Sequence, residues 1–388
     1  MLIQHYQNPN KNKGNYPDEL KSILNIEDCK LAYDEIKTWN NYNPTPLLSL
    51  KKIASKIGVK NIYYKDESSR FGLGSFKALG GTYGVLKFIY NTLKKEVGDE
   101  VTIERIRKGD YASIISKYTV TTATDGNHGR AVAFGAKLFG CKCQIYIHSK
   151  VSLGREKVIQ SLNANVIRVS GNYDESFRIC INETAKNDWH IISDTSYEGY
   201  TKYSHYIMAG YTVMAKEITE QLKNKPIPTH LFLQGGVGSF PASICSYFWQ
   251  KFNTNVKNII VESELAQCLI KSAQNNKITS FDINKETIMA GLSCGEPSLL
   301  GWKILSQAAD HFITIDDSSI PDTMRLLYNN TPKIEAGESS VAGLAALIAL
   351  MKKNDIAQKT GINKESTILV FGTEGATDPE IYKSIIED

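Results

Sequence analysis

The sequence lacks any hydrophobic run long enough to cross a membrane, and it lacks an apolar signal core. No stretch approaches the roughly 18 apolar residues that a transmembrane helix needs. The first 20 residues, MLIQHYQNPNKNKGNYPDEL, are polar. We therefore expect no membrane partner and a cytoplasmic location.

A strong charge of one sign and a pattern of paired cysteines are also missing. The chain has 45 basic and 41 acidic residues, and no Lys/Arg cluster recurs with interleaved aromatics. We therefore expect no nucleic-acid partner. The seven cysteines are scattered and form no CxxC pair, which indicates reduced thiols rather than a disulfide framework. No metal site is predicted.

The 388 residues are enough for one large domain or two associated domains. From about Lys117 onward, short β-rich runs alternate with amphipathic helical stretches, and this alternation predicts an α/β fold with parallel sheets. Strands are predicted at 118–123, 144–148, 166–169, 190–193, 230–233, 258–261 and 367–371. The main helices are predicted from 129, at 155–163, 173–187 and 204–223, after 238, and at 342–352.

Polar and Gly-rich segments lie where ligands bind in such sheets, at the ends of strands. The first, residues 72–77 (GLGSFK), leads into a helical stretch. It is not a Walker loop, because Phe76 precedes Lys77 and Ala78 follows it. By itself, Lys77 is either a reactive lysine or a solvated lysine at the start of a helix.

The second segment, residues 124–129 (TDGNHG), lies between a predicted strand and a helix. Helix N-termini attract carboxylates and phosphates. Asp125 and Asn127 are equally compatible with a turn and an N-cap. This segment alone leaves both interpretations open.

The third segment, residues 234–239 (QGGVGS), also lies between a strand and a helix. Gly236, Gly238 and the later Glu262 resemble part of a dinucleotide fingerprint, but Pro241 replaces its third glycine. Successive N–H groups of small residues suit a single phosphate better than a pyrophosphate.

A fourth segment, residues 371–378 (FGTEGATD), offers hydroxyls and acids but no signature of its own. Together, a lysine on one loop, an asparagine on another and a phosphate-binding glycine loop describe what pyridoxal phosphate needs. This combination predicts a pyridoxal-phosphate enzyme.

At these residues the chain resembles the tryptophan-synthase-like family of pyridoxal-phosphate enzymes (fold type II). The resemblance lies in Ser75-Phe76-Lys77, Gly126-Asn127-His128 and the GGVGS loop. Within that family, further stretches are similar to the diaminopropionate ammonia-lyases. They are 70–73 (RFGL), 124–130 (TDGNHGR), 194–202 (DTSYEGYTK), 289–297 (MAGLSCGEP) and 373–378 (TEGATD).

The resemblance implies two open twisted parallel sheets, with the cofactor between a large and a small domain. The large domain is expected at 1–88 and 218–388, and the small domain at 89–217. Relatives of this type imply a homodimer.

The resemblance also assigns the site residues. Lys77 is implied as the Schiff-base lysine, and Asn127 as the contact of the cofactor's phenolic oxygen. Thr373 is expected to face the pyridine nitrogen with Glu338 nearby, and Gly291 to leave room over the ring. The remaining cofactor-binding residues are Phe76, from the lysine motif, and the phosphate loop Gly235, Gly236, Val237, Gly238 and Ser239.

The resemblance implies α,β-elimination from D- or L-2,3-diaminopropionate, giving pyruvate and two ammonia. Asp125 stands where dehydratases have a hydroxyl that binds the substrate carboxylate. Two like charges ~4 Å apart cost about 4 kcal/mol at an effective dielectric near 20, and the second ammonium of diaminopropionate offsets this cost. Asp125 is the expected base for the D form, and Asp194 or Lys77 for the L form. Desolvation is expected to raise the pKa of such acids. Asp194 could instead be the N-cap of a turn.

Three alternatives stay open at this point. The first is a threonine/serine dehydratase or a β-replacement enzyme of the same fold. The second is an NAD-dependent dehydrogenase, supported by Gly236, Gly238 and Glu262. The third is a non-catalytic binding protein, which the retained Lys77 disfavours.

Overall fold

The computed structural model describes residues 2–124, 126–171 and 173–387. Helices and strands alternate along most of this length. In chain order they are β1 Leu2–Gln7, α1 Asp18–Lys21, α2 Ile26–Ile36, β2 Leu47–Ser49, α3 Lys51–Ile57, β3 Asn61–Asp66, α4 Lys77–Glu96, α5 Ile103–Lys108, α6 Ala112–Ile115, β4 Thr119–Ala123, α7 Asn127–Phe139, β5 Lys142–His148, α8 Leu153–Gln160, β6 Asn165–Val169, α9 Tyr173–Asn187, β7 His190–Ile191, α10 Lys202–Gln221, β8 His230–Gln234, α11 Ser239–Phe252, β9 Lys257–Ser263, α12 Cys268–Asn275, α13 Leu299–Ala308, β10 His311–Ile315, α14 Ser319–Tyr328, α15 Ala342–Met351, α16 Asn354–Thr360, β11 Thr367–Gly372 and α17 Pro379–Glu387.

The larger of two compact units contains the described residues up to Phe76, Thr195–Gly199 and those from Tyr211 onward. Its seven-stranded sheet has the order β1-β10-β9-β8-β11-β3-β2. The strands from β10 to β3 run parallel to their neighbours, whereas β1 and β2 pair antiparallel at the two edges. The predicted parallel sheet is therefore confirmed, and one antiparallel strand is added at each of its edges.

Central strands of this sheet are apolar because both faces are covered. Every residue of β8 and β11 is buried, and helix α15 contributes Leu344 and Leu347 to the same core. Since β8 and β11 are parallel neighbours, their carboxyl ends lie at the same sheet edge. The loops that begin at Gly235 and Thr373 therefore leave the sheet side by side.

The smaller unit contains Lys77–Asp194 and Tyr200–Gly210. Its four-stranded sheet has the order β6-β5-β4-β7, and all its pairs are parallel. Helices α4 and α7 pack closely together in this unit. A Cβ atom on Gly81 of α4 would lie 2.6 Å from the Cβ of Ala131 on α7, so this close approach requires glycine.

The predicted strands and helices after Lys117 are confirmed, with ends that differ by a few residues. After Lys117, the sequence analysis missed β10 and helices α12, α13, α14, α16 and α17; before Lys117, it predicted only the helical stretch after Lys77, which is α4. The predicted domain boundaries at 88/89 and 217/218 fall within α4 and α10, and they stay a proposal. Among the described residues, no helix combines the length and apolar character that a membrane crossing needs.

Candidate active site

The chain reaches Lys77 through a tight loop after β3. Phe71 lies in the left-handed region, with φ of 51°, inside the short 3-10 turn Arg70–Gly72. The N–H of Phe76 then donates to the Thr373 carbonyl at 3.0 Å. The backbone is therefore fixed up to the residue before Lys77, which begins α4.

The Phe76 side chain belongs to an aromatic cluster of the larger unit. Its ring centroid lies 4.7 Å from that of Tyr211 and 4.8 Å from that of Phe240. Aromatic contacts of this kind stabilise by more than their buried area alone. Phe76 thus anchors the loop, and its predicted cofactor contact stays a prediction.

An ion pair joins Lys77 Nζ to Asp194 Oδ2 in the smaller unit. The two side chains are 21% and 17% exposed. Burial by itself raises the pKa of Asp194, but His128 in its protonated form, the charge of Lys77 and the hydrogen bond from Lys77 bring the net pKa below its usual range. Desolvation therefore acts on the pKa of this acid in the expected direction, but the neighbouring cations outweigh it while Lys77 carries its charge.

His128 is a site residue that the sequence analysis did not select. Its buried ring lies on α7, with Nδ1 3.9 Å from Asp194 Oδ2. Nε2 lies 2.7 Å from the Ile192 carbonyl oxygen. The sequence did contain a signal for His128, because it belongs to the Gly-Asn-His motif. The sequence analysis assigned a role only to Asn127 of that motif.

The loop before α7 is shaped by Thr124. Its Oγ1 accepts hydrogen bonds from the N–H groups of Gly126 and Gly129, both at 3.1 Å. Gly126 has φ of 149°, which other residues rarely adopt, and Asn127 follows as the first residue of the helix. Asp125, the predicted base for the D form, lies outside the described residues.

The predicted phosphate loop passes from β8 into α11 in the larger unit. Among the described residues, no backbone carbonyl accepts from the N–H groups of Gly236, Val237 or Gly238. A Cβ atom on Gly236 would lie 2.9 Å from Cys294 Sγ and 3.0 Å from the Gly291 carbonyl oxygen. The loop therefore presents amide donors at a helix N-terminus, in a space that excludes side chains.

Thr373 lies at the end of β11, where its hydroxyl accepts a hydrogen bond. The donor is Nε2 of Gln234, 3.1 Å from Thr373 Oγ1, and the same Nε2 also lies 2.8 Å from the Phe371 carbonyl oxygen. Because the amide supplies its own hydrogen here, the Thr373 hydroxyl hydrogen can be donated elsewhere. A pyridine nitrogen is an acceptor of the right kind.

Two buried acids, Glu338 and Glu374, lie close to Ser339 in the larger unit. Glu338 is buried next to Ser339. Gly291 also lies near Ser339, because a Cβ atom on Gly291 would be 3.6 Å from its Oγ. Glu374, which the sequence analysis did not select, accepts hydrogen bonds from Ser339 Oγ and from Thr377 Oγ1. Gly291 and Glu338 therefore both lie beside Ser339, which is hydrogen-bonded to Glu374.

Glu262 does not have the surroundings that a dinucleotide site requires. Its buried carboxylate accepts the N–H groups of Leu269 and Ile270, both at 2.7 Å, at the start of α12. Burial raises the pKa of Glu262 to about 8, although these two hydrogen bonds lower it. This acid binds a helix N-terminus, so the interpretation of Glu262 as a ribose ligand is wrong.

Each unit, taken by itself, carries groups of the kind that pyridoxal phosphate needs. Lys77 supplies a primary amine, residues 236–238 supply amide donors without a backbone acceptor, and Thr373 supplies a hydroxyl hydrogen. Across residues 2–124, 126–171 and 173–387, no cluster of His, Cys, Asp and Glu is arranged to hold a metal ion.

Comparisons with known proteins point to the same cofactor. The family described as "Pyridoxal-phosphate dependent enzyme" matches residues 38–373. Diaminopropionate ammonia-lyase of Escherichia coli (strain K12) is 36% identical over 376 residues, which cover 95% of this chain and 93% of that protein.

Solved structures of the ammonia-lyase from Escherichia coli are also similar. Its complex with an aminoacrylate-PLP azomethine reaction intermediate has a TM-score of 0.89 at 35% identity, covering 100% of this chain and 97% of that one. Its complex with D-serine has a TM-score of 0.90 at 35% identity, covering 99% and 97%.

Proposed function

Because the chain belongs to the family of pyridoxal-phosphate dependent enzymes, we propose that it eliminates ammonia from 2,3-diaminopropionate. The substrate and one water give pyruvate and two ammonia. The observation that carries the proposal is the shielded Lys77–Asp194 ion pair, because it holds an amine and a carboxylate together where a proton must be moved. The similarity to diaminopropionate ammonia-lyases over 95% of the chain supports this choice of substrate.

We assign the covalent attachment of the cofactor to Lys77 and the binding of its phosphate to Gly235–Ser239. When bound, pyridoxal phosphate supplies an electron sink that makes the substrate α-proton acidic. The amides of residues 236–238 offer hydrogen bonds and the positive end of α11 to a phosphate. Thr373 is assigned to the pyridine nitrogen and Asn127 to the phenolic oxygen.

Asp194 changes character with the charge of Lys77. While Lys77 is an ammonium, it lowers the pKa of the carboxyl and holds it ionised. Once Lys77 is neutral beside a neutral His128, both attractions disappear and the burial that favours the protonated acid remains. Asp194 is then a stronger base, suited with Lys77 to the L enantiomer. Asp125 is the proposed base for the D enantiomer.

The substrate's second ammonium distinguishes diaminopropionate from serine and threonine. Asp125 and Asp194 bring negative charge to the proposed site, and a substrate with one amine and one carboxylate does not compensate it. A second ammonium does, and it leaves as neutral ammonia when the bond from Cβ to nitrogen breaks.

The test is a comparison of substrates by pyruvate release. The purified holoenzyme is assayed with D- and L-diaminopropionate, D- and L-serine and L-threonine. We expect kcat/KM for diaminopropionate to exceed the others by about 100-fold or more, the effect of roughly 2.7 kcal/mol in transition-state binding. Lys77→Ala is the control and should lose both the visible absorbance and the activity. A preference for serine or threonine would instead identify a dehydratase.

We also propose that the enzyme is a homodimer, as the family resemblance implies, and that it is cytoplasmic, as the sequence analysis expects. Size-exclusion chromatography with light scattering should give twice the chain mass of 43.2 kDa. A monomer mass at micromolar concentration would contradict the dimer without affecting the proposed reaction.

A further inference from the structure

The side chain of His128 lies beside Asp194 in the smaller unit, and no role has yet been assigned to it. Its Nδ1 is 3.9 Å from Asp194 Oδ2, the same oxygen that pairs with Lys77. Its Nε2 is 2.7 Å from the carbonyl oxygen of Ile192. Ile192 lies two residues before Asp194, so His128 contacts both the backbone and the side chain of this short segment.

These contacts determine which ring nitrogen carries the hydrogen. A carbonyl oxygen only accepts, so Nε2 of His128 must donate to Ile192. Burial lowers the pKa of His128; Lys77 lowers it too, while Asp194 and the Ile192 bond raise it, and the net direction is down. The ring is therefore neutral at neutral pH, and its Nδ1 is a lone-pair acceptor.

That acceptor has no hydrogen-bond donor among the described residues, and it is buried. A buried polar atom without a partner costs about 1–3 kcal/mol, so it calls for an explanation. The charged groups that face the ring are Asp194 and Lys77. An ionised Asp194 has no hydrogen to give, whereas a protonated Asp194 has one.

We propose that His128 is a positioning residue that accepts a hydrogen bond from protonated Asp194 and thereby makes Asp194 the proton acceptor for the L enantiomer. This inference rests on the proposed function. The α-proton of the substrate moves to Oδ2 of Asp194, and the carboxyl O–H then points to Nδ1 of His128. An approach of roughly 1 Å brings the two atoms to an ordinary hydrogen-bond length.

The electron balance of the step is simple. The electron pair of the Cα–H bond forms the double bond between Cα and Cβ. The pair of the bond from Cβ to nitrogen leaves with ammonia. Asp194 goes from charge −1 to neutral, so a neutral histidine is a better neighbour than a cationic one at that stage.

Two substitutions separate the two nitrogens of the ring. In His128→Gln, the amide nitrogen can take the place of Nε2 and keep the Ile192 contact, while the acceptor at Nδ1 is lost. In His128→Asn, the amide oxygen can take the place of Nδ1, while the Ile192 contact is lost. Each holoenzyme is assayed with D- and L-diaminopropionate, and the ratio of the two kcat/KM values is the readout.

We expect His128→Gln to lower the L/D ratio about tenfold, the effect of losing one hydrogen bond in the transition state. His128→Asn should keep the ratio within about threefold of the wild type. A general loss of folding or cofactor lowers both enantiomers together and leaves the ratio unchanged. The ratio therefore reports the proton step rather than stability.

An unchanged L/D ratio in His128→Gln would overturn the inference, and so would an equally low ratio in both variants. If the wild-type enzyme turns over neither enantiomer, the proposed function fails instead. The two failures are thus distinguishable in one set of assays.

Discussion

Substitution of Arg70 tests how the loop that leads to Lys77 is held. Arg70 lies in a buried ionic cluster of the larger unit. Its guanidinium donates to Glu67 at 2.8 and 2.9 Å, to Glu217 at 2.8 Å from each of two nitrogens, and to Thr45 at 3.1 Å. Lys65 Nζ completes the cluster at 2.6 Å from Glu217. The perturbation is Arg70→Met, which keeps much of the side-chain volume and removes the charge.

The expected magnitude follows from the charges that remain. The cluster has two cations and two carboxylates, and all four side chains are at most 1% exposed. Without Arg70, Lys65 alone faces Glu67 and Glu217. Breaking a buried ion pair costs about 3–5 kcal/mol. For a unit of roughly 250 residues this lowers the melting temperature by about 6–10 °C.

The assay is thermal unfolding of the holoenzyme followed by circular dichroism at a fixed scan rate. Arg178→Met is the matched control, because Arg178 pairs with Glu175 at the surface, where the side chains are 62% and 41% exposed. Exposed pairs contribute about 0–1 kcal/mol, so the control should shift by about 2 °C or less. The double variant Arg70→Met, Glu67→Gln restores charge balance and should recover part of the loss. A shift for Arg70→Met no larger than the control's would refute the reasoning.

Two further predictions concern single residues of the larger unit. Gly236→Ala should weaken pyridoxal-phosphate binding about tenfold, because its Cβ would meet Cys294 and Gly291 and overpacking costs about 1–3 kcal/mol. Fluorescence titration measures the dissociation constant of the cofactor, with Val237→Ala as the control. A Gly236→Ala affinity equal to that of the control would contradict the prediction. The pKa of Glu262 is raised to about 8 in the folded chain, so the folded state keeps a proton that the unfolded state loses. The unfolding free energy should therefore fall from about pH 5 to pH 8 by roughly 1.4 kcal/mol per pH unit. Denaturant titrations should show a smaller fall of the unfolding free energy for Glu262→Gln than for the wild type. An equal fall in the two proteins would show that another group is responsible.

Much of the architecture could be predicted from the sequence, because it depends on local patterns. Strands such as β8 and β11 have continuous apolar centres (LFL and ILVF), and the helices between them have their own periodicity. The sequence analysis failed at the edges. Strand β1 pairs with β10 across more than 300 residues, and no local pattern shows that an N-terminal polar segment will add to a sheet. The interior strands of the sheet were easier to predict, because burial on both faces gives them a continuous apolar sequence.

The same division holds for the candidate site. The predictions for Lys77 and the loop 235–239 came from short motifs taken together and from the family resemblance, since each motif consists of neighbouring residues. Asp194 was selected through resemblance, and His128 and Glu374 were not selected at all. Glu262 was weighed as a ribose ligand because its spacing matched, and only the structure shows its carboxylate on the amides of α12.

By itself, the sequence determined the α/β class and predicted the reactive lysine and the phosphate loop, because hydrophobic periodicity and local backbone chemistry are properties of adjacent residues. The tertiary structure decided the charge states. Lys77 and Asp194 are 117 residues apart, and protonated His128 together with their ion pair reverses the pKa shift that burial alone would cause in Asp194. A carboxyl side chain can act as a proton acceptor, as an ion-pair partner or as a helix cap. Its solvation and the charges a few ångströms away decide between these roles, and folding sets both.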